Sequence, residues 1–543
     1  MKILRNIAIL FAAAAIYPGC RKLDIAPNDQ YSSLNFWTTS ANVYNALNNN
    51  YSLMYNSNLY FNLEGTSDNA YSANNSDLLL ISSGTANSQT PEFQNDWAFY
   101  YSGIKSCNEF LTFVDQNKTL DAATLARLKA ETRFIRAFED FNLTKWYGDI
   151  PLINTNITED QAKVVSKTPQ AQVYQFIVSE MDAIIPALPS KDQLSAAENG
   201  RITKGAALAL KARALLYQSK WADVVTTCQA LMSGTNGTYA LAPSYEALFN
   251  DPATNKNNSE SILSLQYVPA TTRTWNNFWD FCPRSVGGRV NALAPTQELV
   301  NDYIMLNGDS ISQAGSGYDQ GNPYVNRDPR LTATVVYDKY FWNNEGNVNG
   351  PSKTIYIRPG SDPVQPGPDE YSKTSESSSP TGYYWRKYFD YSSLANFQSG
   401  NNLHLFRYAE ILLDYAEAQN ALGQMNATVW NQTIGALRAR AGFTDPNALN
   451  YPGNTDMTVI IRRERRVELA MEGLRTDDIR RWKIGNVVMN GYAHGAQFSG
   501  DPTTDNGYIR AQKRQFNPQR DYLWPIPLNE TQLDKNLTQN PGY

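Results

Sequence analysis

The sequence predicts a mainly α-helical protein in which a scaffold of stacked helical pairs carries a large irregular lobe containing short strands. Two observations carry that prediction. Apolar residues recur at helical spacing in paired blocks, and between the blocks run long stretches of Asn, Gly, Ser, Tyr and Pro with no helical period. Composition adds a third: 33 Tyr and 11 Trp stand against 2 His, which suits a surface that stacks and hydrogen-bonds better than one that moves protons.

The chain opens on an export signal. Lys2 and Arg5 form a basic start, Ile7 to Ile16 is an apolar run, and Tyr17-Pro18-Gly19 leads into Cys20. That run is too short for a membrane-spanning helix, which needs roughly 20 residues. A small residue immediately before Cys is what a bacterial lipoprotein peptidase accepts. Cys20 is therefore read as the lipid attachment point, residues 1–19 as the signal peptide and 20–30 as anchor and tether. Several acyl chains on one residue, at about 0.8 kcal/mol per buried methylene, hold a protein on a membrane where a single chain would not. No later apolar run reaches 18 residues, so nothing in the body, residues 31–543, is expected to cross a membrane.

Within the body, helical repeats are expected mainly over about 100–232 and 404–484. Residues 123–147 place Phe134, Phe138 and Phe141 at i, i+4 and i+7, and Gly148 with Pro151 is a stop signal. Over 204–232, Leu208, Ala212 and Leu215 line one helix and Trp221, Val224, Val225, Cys228 and Met232 the next, with Ser219-Lys220 as the hinge. Ala206, Ala207, Ala209, Ala212 and Ala214 let the two approach closely, as in the helix-turn-helix unit of a tetratricopeptide repeat. A third block runs through Tyr408, Ile411, Leu412, Tyr415 and Leu422, stops at Gly423, and resumes at Trp430, Ile434, Leu437 and Ala441. Each pair buries its apolar stripe only by stacking on another. The irregular lobe falls at about 50–95 and 233–403, with strands expected at Ser261 to Val268, Leu331 to Tyr337 and Thr354 to Ile357.

The formal charge of -5 becomes about -7 once cleavage removes Lys2 and Arg5, a mildly acidic balance that disfavours nucleic acid as a partner. With Cys20 lipidated, Cys107, Cys228 and Cys282 remain, an odd number without a C-x-x-C pair, which argues against a disulfide framework. Cys107 and Cys228 fall on expected helices and read as small buried hydrophobes. His404 and His494 are isolated, and no H-E-x-x-H, calcium-loop, G-x-S-x-G or Walker pattern occurs. No metal or cofactor is implied, although a calcium ion held by loop carbonyls would leave no trace in a sequence.

Six motifs follow one another along the chain: Cys20 followed by Leu23-Asp24 and Pro27; Ala130 to Ala137 with Tyr147 to Leu152; Asn326 to Leu331; Arg407-Tyr408-Ala409-Glu410 with Ala416-Glu417-Ala418; Glu464 to Gly473 followed by Asp478 and Arg481-Trp482; and the ending Leu523 to Pro527 with Gln539 to Tyr543. In this order they resemble the SusD/RagB-type outer-membrane lipoproteins of Bacteroidetes. The resemblance implies the SusD-like fold of tetratricopeptide-like helical pairs with an irregular, ligand-carrying lobe. It also implies a function: capture of a nutrient, most often a glycan, at the cell surface and delivery to a SusC-like TonB-dependent transporter, over which members form a lid. The motifs belong to the scaffold, so the substrate does not follow from them.

Arg462, Arg463, Arg465 and Arg466 are interleaved with Glu464, Glu468 and Glu472, and the i, i+3 pairs Arg465–Glu468 and Glu472–Arg475 point to a salt-bridged structural helix. Glu131, Arg133, Arg136 and Glu139 invite the same reading across neighbouring helices. Glu410 and Glu417 have the residue types of a glycosidase acid and base but sit in regular scaffold, so no catalytic residue is assigned. A pyranose needs a ring for its C–H face and amides, carboxylates or Arg for its hydroxyls. Two irregular segments offer both: Asp68, Asn69 and Tyr71, and Arg273, Trp275, Phe278 and Trp279 with Arg289 nearby. Trp97 is a further ligand candidate, and Tyr383, Tyr384, Trp385 and Tyr388 read as core or transporter-facing. The expected protein is a non-catalytic, lipid-anchored receptor for an oligosaccharide or polysaccharide fragment, exposed on the outer membrane. Peptide is the alternative cargo, and an anchored glycoside hydrolase or a pure tetratricopeptide interaction scaffold the rival class.

Overall fold

The computed structural model describes residues 36–543 apart from 270–272, 344–351, 373–377, 454–456 and 499–504, so the signal, Cys20 and the tether lie outside the described residues. The helices that build the scaffold are α1 (Ser40–Met54), α2 (Ser57–Gly65), α3 (Pro91–Phe113), α4 (Ala122–Tyr147), α5 (Gln170–Ile184), α6 (Lys204–Tyr217), α7 (Trp221–Met232), α8 (Tyr408–Ala421), α9 (Met457–Glu468) and α10 (Arg475–Arg481). From α3 to α9 each packs on the next, so the predicted stack of pairs forms, and it joins residues 91–232 directly to 408–468.

Local chemistry explains the boundaries. Asp121 caps α4 by accepting from the Thr124 N–H at 2.9 Å, and Gly148 ends it at φ +75, a conformation glycine takes without a Cβ penalty. Phe134, Phe138 and Phe141 are buried as their spacing predicts, and the alanines of α6 are fully buried where α7 crosses. The turn between α6 and α7 contains Ser219 at φ 57, at the expected hinge. After α8 the expected single helix is broken at Thr433 (φ -122, ψ -95) into Ala427–Gln432 and Ile434–Ala441.

Two stretches differ from the sequence reading. The segment expected to be irregular from residue 50 to 95 holds the end of α1, all of α2, the helix Ser76–Ser83 and the start of α3. Asn42, Asn45, Asn48, Asn49 and Asn50 hide α1, because Asn favours caps and turns over helix interiors; Val43, Leu47 and Met54 nonetheless form a buried stripe. Leu331 to Tyr337 is not a strand. Asp328 accepts from the Arg330 N–H at 2.9 Å and Pro329 sits at the first helical position, so Pro329–Thr334 is helical and only Val335–Val336 stays extended. The other two strands form in shortened versions: β1 (Ser261–Leu265) pairs antiparallel with β2 (Leu403–Arg407), and Lys353–Ile355 pairs with Tyr340–Trp342. A hairpin of β3 (Gly491–Gln497) and β4 (Tyr508–Arg514) completes the lobe.

Cys107, Cys228 and Cys282 are buried and unpaired. The Arg/Glu helix α9 is structural, but with different partners from those its spacing suggests: Arg465 meets Asp414 at 2.6 Å and Asp478 at 2.8 Å, and Glu472 meets Arg407 and Lys387, both at 2.7 Å. Long-range pairs replace the intrahelical ones because this end of α9 is enclosed by protein on all sides. In α4, Arg133 and Arg136 both reach Glu180 of α5, tying neighbouring helices as expected, whereas Glu139 and Asp140 are buried and accept no hydrogen bond among the described residues. Burial pushes the Asp140 carboxyl up to about 8 against the pull of Arg136. A raised carboxyl gives stability that is complete below the unfolded value near 3.8 and is lost as pH rises through 8. Asp140→Asn is therefore expected to flatten the loss of stability between pH 4 and 8 and to stabilise the protein at pH 8 by roughly 2–5 kcal/mol, at about 1.4 kcal/mol per pKa unit; urea melts across that pH range give the measurement.

Candidate functional site

Most rings singled out in the sequence lie inside the protein. Trp275, Phe278 and Trp279 are at most 4% exposed, packed against Phe61, Tyr388, Phe389 and Phe397. Their indole N–H groups are satisfied internally, Trp275 donating to the Asn401 carbonyl at 2.7 Å and Trp279 to the Ser393 hydroxyl at 2.9 Å. No face is left for a sugar. Trp97 is likewise buried between Tyr101 and Tyr147, and Tyr383, Tyr384, Trp385 and Tyr388 are core.

Asp68 and Asn69 are also interior. Asp68 receives Arg475 at 2.7 and 2.9 Å and Arg466 at 3.1 Å; burial opposes its charge, but the two guanidiniums outweigh it and hold the carboxyl well below the ordinary range. Asn69 links Arg466 to Glu64 at 2.8 and 2.9 Å. These two residues therefore lock the segment to α9 and α10. Arg273 and Arg289 do reach the surface, each engaged: Arg273 donates to the Gln266 carbonyl and to Ser52, and Arg289 makes a two-pronged pair with Asp280 at 2.8 Å. Tyr71 alone among the predicted rings remains half-exposed, and it feels the charge of Arg514 on β4.

That strand belongs to a surface the sequence reading did not single out. Along β3 the residues alternate, with Tyr492 and His494 outward and Ala493 and Gly495 buried. Across the hairpin Gln497 faces Tyr508 and His494 faces Arg510. The rings run on from one another: Tyr492 to His494 is 6.5 Å, His494 to Tyr508 is 6.2 Å, and half-buried Tyr318 lies near enough to Tyr508 for its own hydroxyl to feel the charge of Tyr508. Arg510 covers Tyr492 at 4.8 Å and is held by Asp505 at 2.6 and 2.9 Å. Gln320 donates to Gln497 at 2.8 Å, bringing the 309–327 loop to the hairpin, and Arg358 lies over the Phe498 ring at 5.3 Å.

His494 fixes the hairpin to the helix Gln297–Asp302. Its Nδ1 lies 2.7 Å from Glu298 and its Nε2 3.1 Å from Asp505, and the hydrogen bond to Glu298, followed by burial working against it and by the bond to Asp505, leaves its pKa raised. The surface thus offers aromatic faces beside carboxylate, guanidinium and amide groups, the chemistry that covers a pyranose face and bonds its hydroxyls. Among the described residues no group of three or more His, Cys, Asp or Glu side chains converges to hold a metal ion, and no helix is long and apolar enough to cross a membrane.

Stacked helical pairs and a lobe of loops and short ladders define the class: a helical-repeat scaffold with an aromatic, hydrogen-bonding surface set on its irregular part. The chain belongs to the SusD family, whose model matches residues 259–543; residues 23–216 match the family described as starch-binding associating with outer membrane. SusD-like protein P2 of Formosa agariphila is 24% identical over 97% of both chains. A SusD-like carbohydrate binding protein from Bacteroides fragilis, solved by crystallography, is 30% identical with a TM-score of 0.82, covering 93% of this chain and 100% of its own. A laminarin binding SusD-like protein shares the fold at 24% identity and a TM-score of 0.67, with coverage of 93% and 100%.

Proposed function

We propose that the protein binds an oligosaccharide or polysaccharide fragment on the β3–β4 surface and delivers it, without chemical change, to a SusC-like TonB-dependent transporter in the outer membrane. The observation that carries this reading is the run of half-exposed rings Tyr318, Tyr492 and Tyr508 beside the Arg510–Asp505 and Gln320–Gln497 pairs. Partly exposed rings with fixed polar groups beside them suit a ligand that presents both apolar C–H faces and hydroxyls. Family membership and the carbohydrate-binding name of the 30% identical structure support the choice of glycan.

The test is a binding screen of the purified protein against neutral glycans, acidic glycans and peptides, with each bound ligand recovered and checked for cleavage. Saturable binding of a glycan that is recovered intact is expected. Binding of peptides alone, or turnover that survives repurification, contradicts the proposal. In the same reading Cys20 carries the lipid, and Cys20→Ala is expected to leave the glycan affinity of the soluble protein unchanged while abolishing membrane fractionation and reducing uptake. Normal uptake by the unanchored variant would show that contact with the transporter suffices.

A further inference from the structure

A cavity of about 280 Å³ opens between the 191–203 segment leading into α6 and strand β1, just below the volumes, roughly 300–1,000 Å³, that hold drug-sized ligands. It shares no residue with the β3–β4 surface and differs from it in chemistry: its lining contains Lys191 and Lys256, several amides and hydroxyls, and neither a carboxylate nor an aromatic ring. The Lys191 ammonium donates to the carbonyls of Asn258 and Ser261, both at 3.0 Å, and that of Lys256 to the Tyr267 carbonyl and to Asn402 Oδ1. An ammonium has three N–H donors, so each lysine keeps one beyond those bonds, and the Lys191 ammonium also lies 5.2 Å from the centre of the Tyr239 ring, a neutral partner. The acids nearest to them are engaged elsewhere, Asp192 by the Thr238 N–H and hydroxyl and Asp390 by Ser392 and Ser399. Arg201, on the rim, is compensated by Glu131 at 3.5 Å.

Two half-buried cations held only by neutral acceptors leave a positive charge that an anion would offset through charge-assisted hydrogen bonds. Asn199 and Asn257, exposed at the mouth, make no side-chain hydrogen bond among the described residues and present amides to whatever enters. We infer that this cavity is a binding site for a single oxyanion carried by a sugar, a carboxylate or a sulfate ester, recognised by Lys191 and Lys256. A pyranose face finds no ring to stack on here, so the charged group is the recognised part. The inference stands whether or not the hairpin surface binds a glycan.

The experiment titrates the protein with glucuronate, glucose 6-sulfate, inorganic sulfate and glucose by calorimetry at pH 7 and pH 9. Saturable binding of glucuronate or glucose 6-sulfate is expected, with none of glucose. Burial pushes the Lys256 ammonium down to about 8, so affinity is expected to fall at least fivefold at pH 9. Lys256→Gln is expected to abolish binding. Because Lys256 also braces Asn402, the second variant is Asn257→Asp, which sits exposed at the mouth and adds a repelling charge; a loss of about tenfold is expected. Binding of inorganic sulfate alone would assign the cavity to a free anion and overturn the sugar assignment. Equal binding of glucose, no saturation with either acidic sugar, or an Asn257→Asp variant of unchanged affinity overturns the inference altogether.

Discussion

Glu468→Gln is expected to destabilise the protein by about 3–5 kcal/mol, because it removes one anion from a buried group of cations. Glu468 is fully buried and meets Arg407 at 2.7 Å, Arg330 at 2.8 Å and Arg440, while Arg407 and Arg440 also share Glu260. Burial opposes the charge of Glu468, but the three guanidiniums outweigh it and hold its carboxyl far below the usual range. Its contribution is present above the unfolded carboxylate pKa and is lost as pH falls below it. A urea melt at pH 7 checks the size, and the difference from Glu468→Gln should shrink toward pH 3. A loss under 1 kcal/mol would mean the surrounding arginines find other partners. Glu159, whose pair with Lys163 is fully open to water, is the control that should change nothing.

The double variant Tyr318→Ala/Tyr508→Ala is expected to weaken glycan binding by about thirtyfold to several-hundredfold. Each ring at the centre of a binding surface contributes about 1–2 kcal/mol, and every 1.4 kcal/mol is tenfold in affinity. Both tyrosines are partly solvent-exposed, so the fold should survive and the melting temperature serves as the check. Trp275→Ala is the opposite case. The ring is interior, and its removal should cost about 3–5 kcal/mol of stability with binding lost only to the extent that the lobe unfolds.

These contrasts show which parts of the molecule a single sequence displays. Helices α4, α6, α7 and α8 were legible because their apolar residues repeat at helical spacing and their ends carry glycine or a small turn. Helix α1 was not, since its Asn-rich surface suppresses the propensity signal while only Val43, Leu47 and Met54 mark the buried stripe. The rings at Trp275 to Trp279 looked too crowded to bury. What buries them is Phe61 from α2 and Tyr388, Phe389 and Phe397 from more than 100 residues downstream, and no local pattern announces such partners. The hairpin surface left one weak trace, ring or charge at every second position in Tyr492-Ala493-His494 and Tyr508-Ile509-Arg510, too short to stand out beside stretches richer in Trp. Asp68 shows the same limit in charge form: an acid in a polar loop reads as a ligand contact until Arg466 and Arg475 arrive from the far end of the chain.

Sugar is expected to meet this protein on the hairpin of β3 and β4. A crystal structure of the protein with the oligosaccharide that binds best tests it most directly. At least one sugar ring is expected to lie over Tyr318, Tyr492 or Tyr508, with Arg510, Asp505, Gln320 or Gln497 bonding its hydroxyls. A well-ordered sugar bound elsewhere, with the hairpin bare, would contradict it.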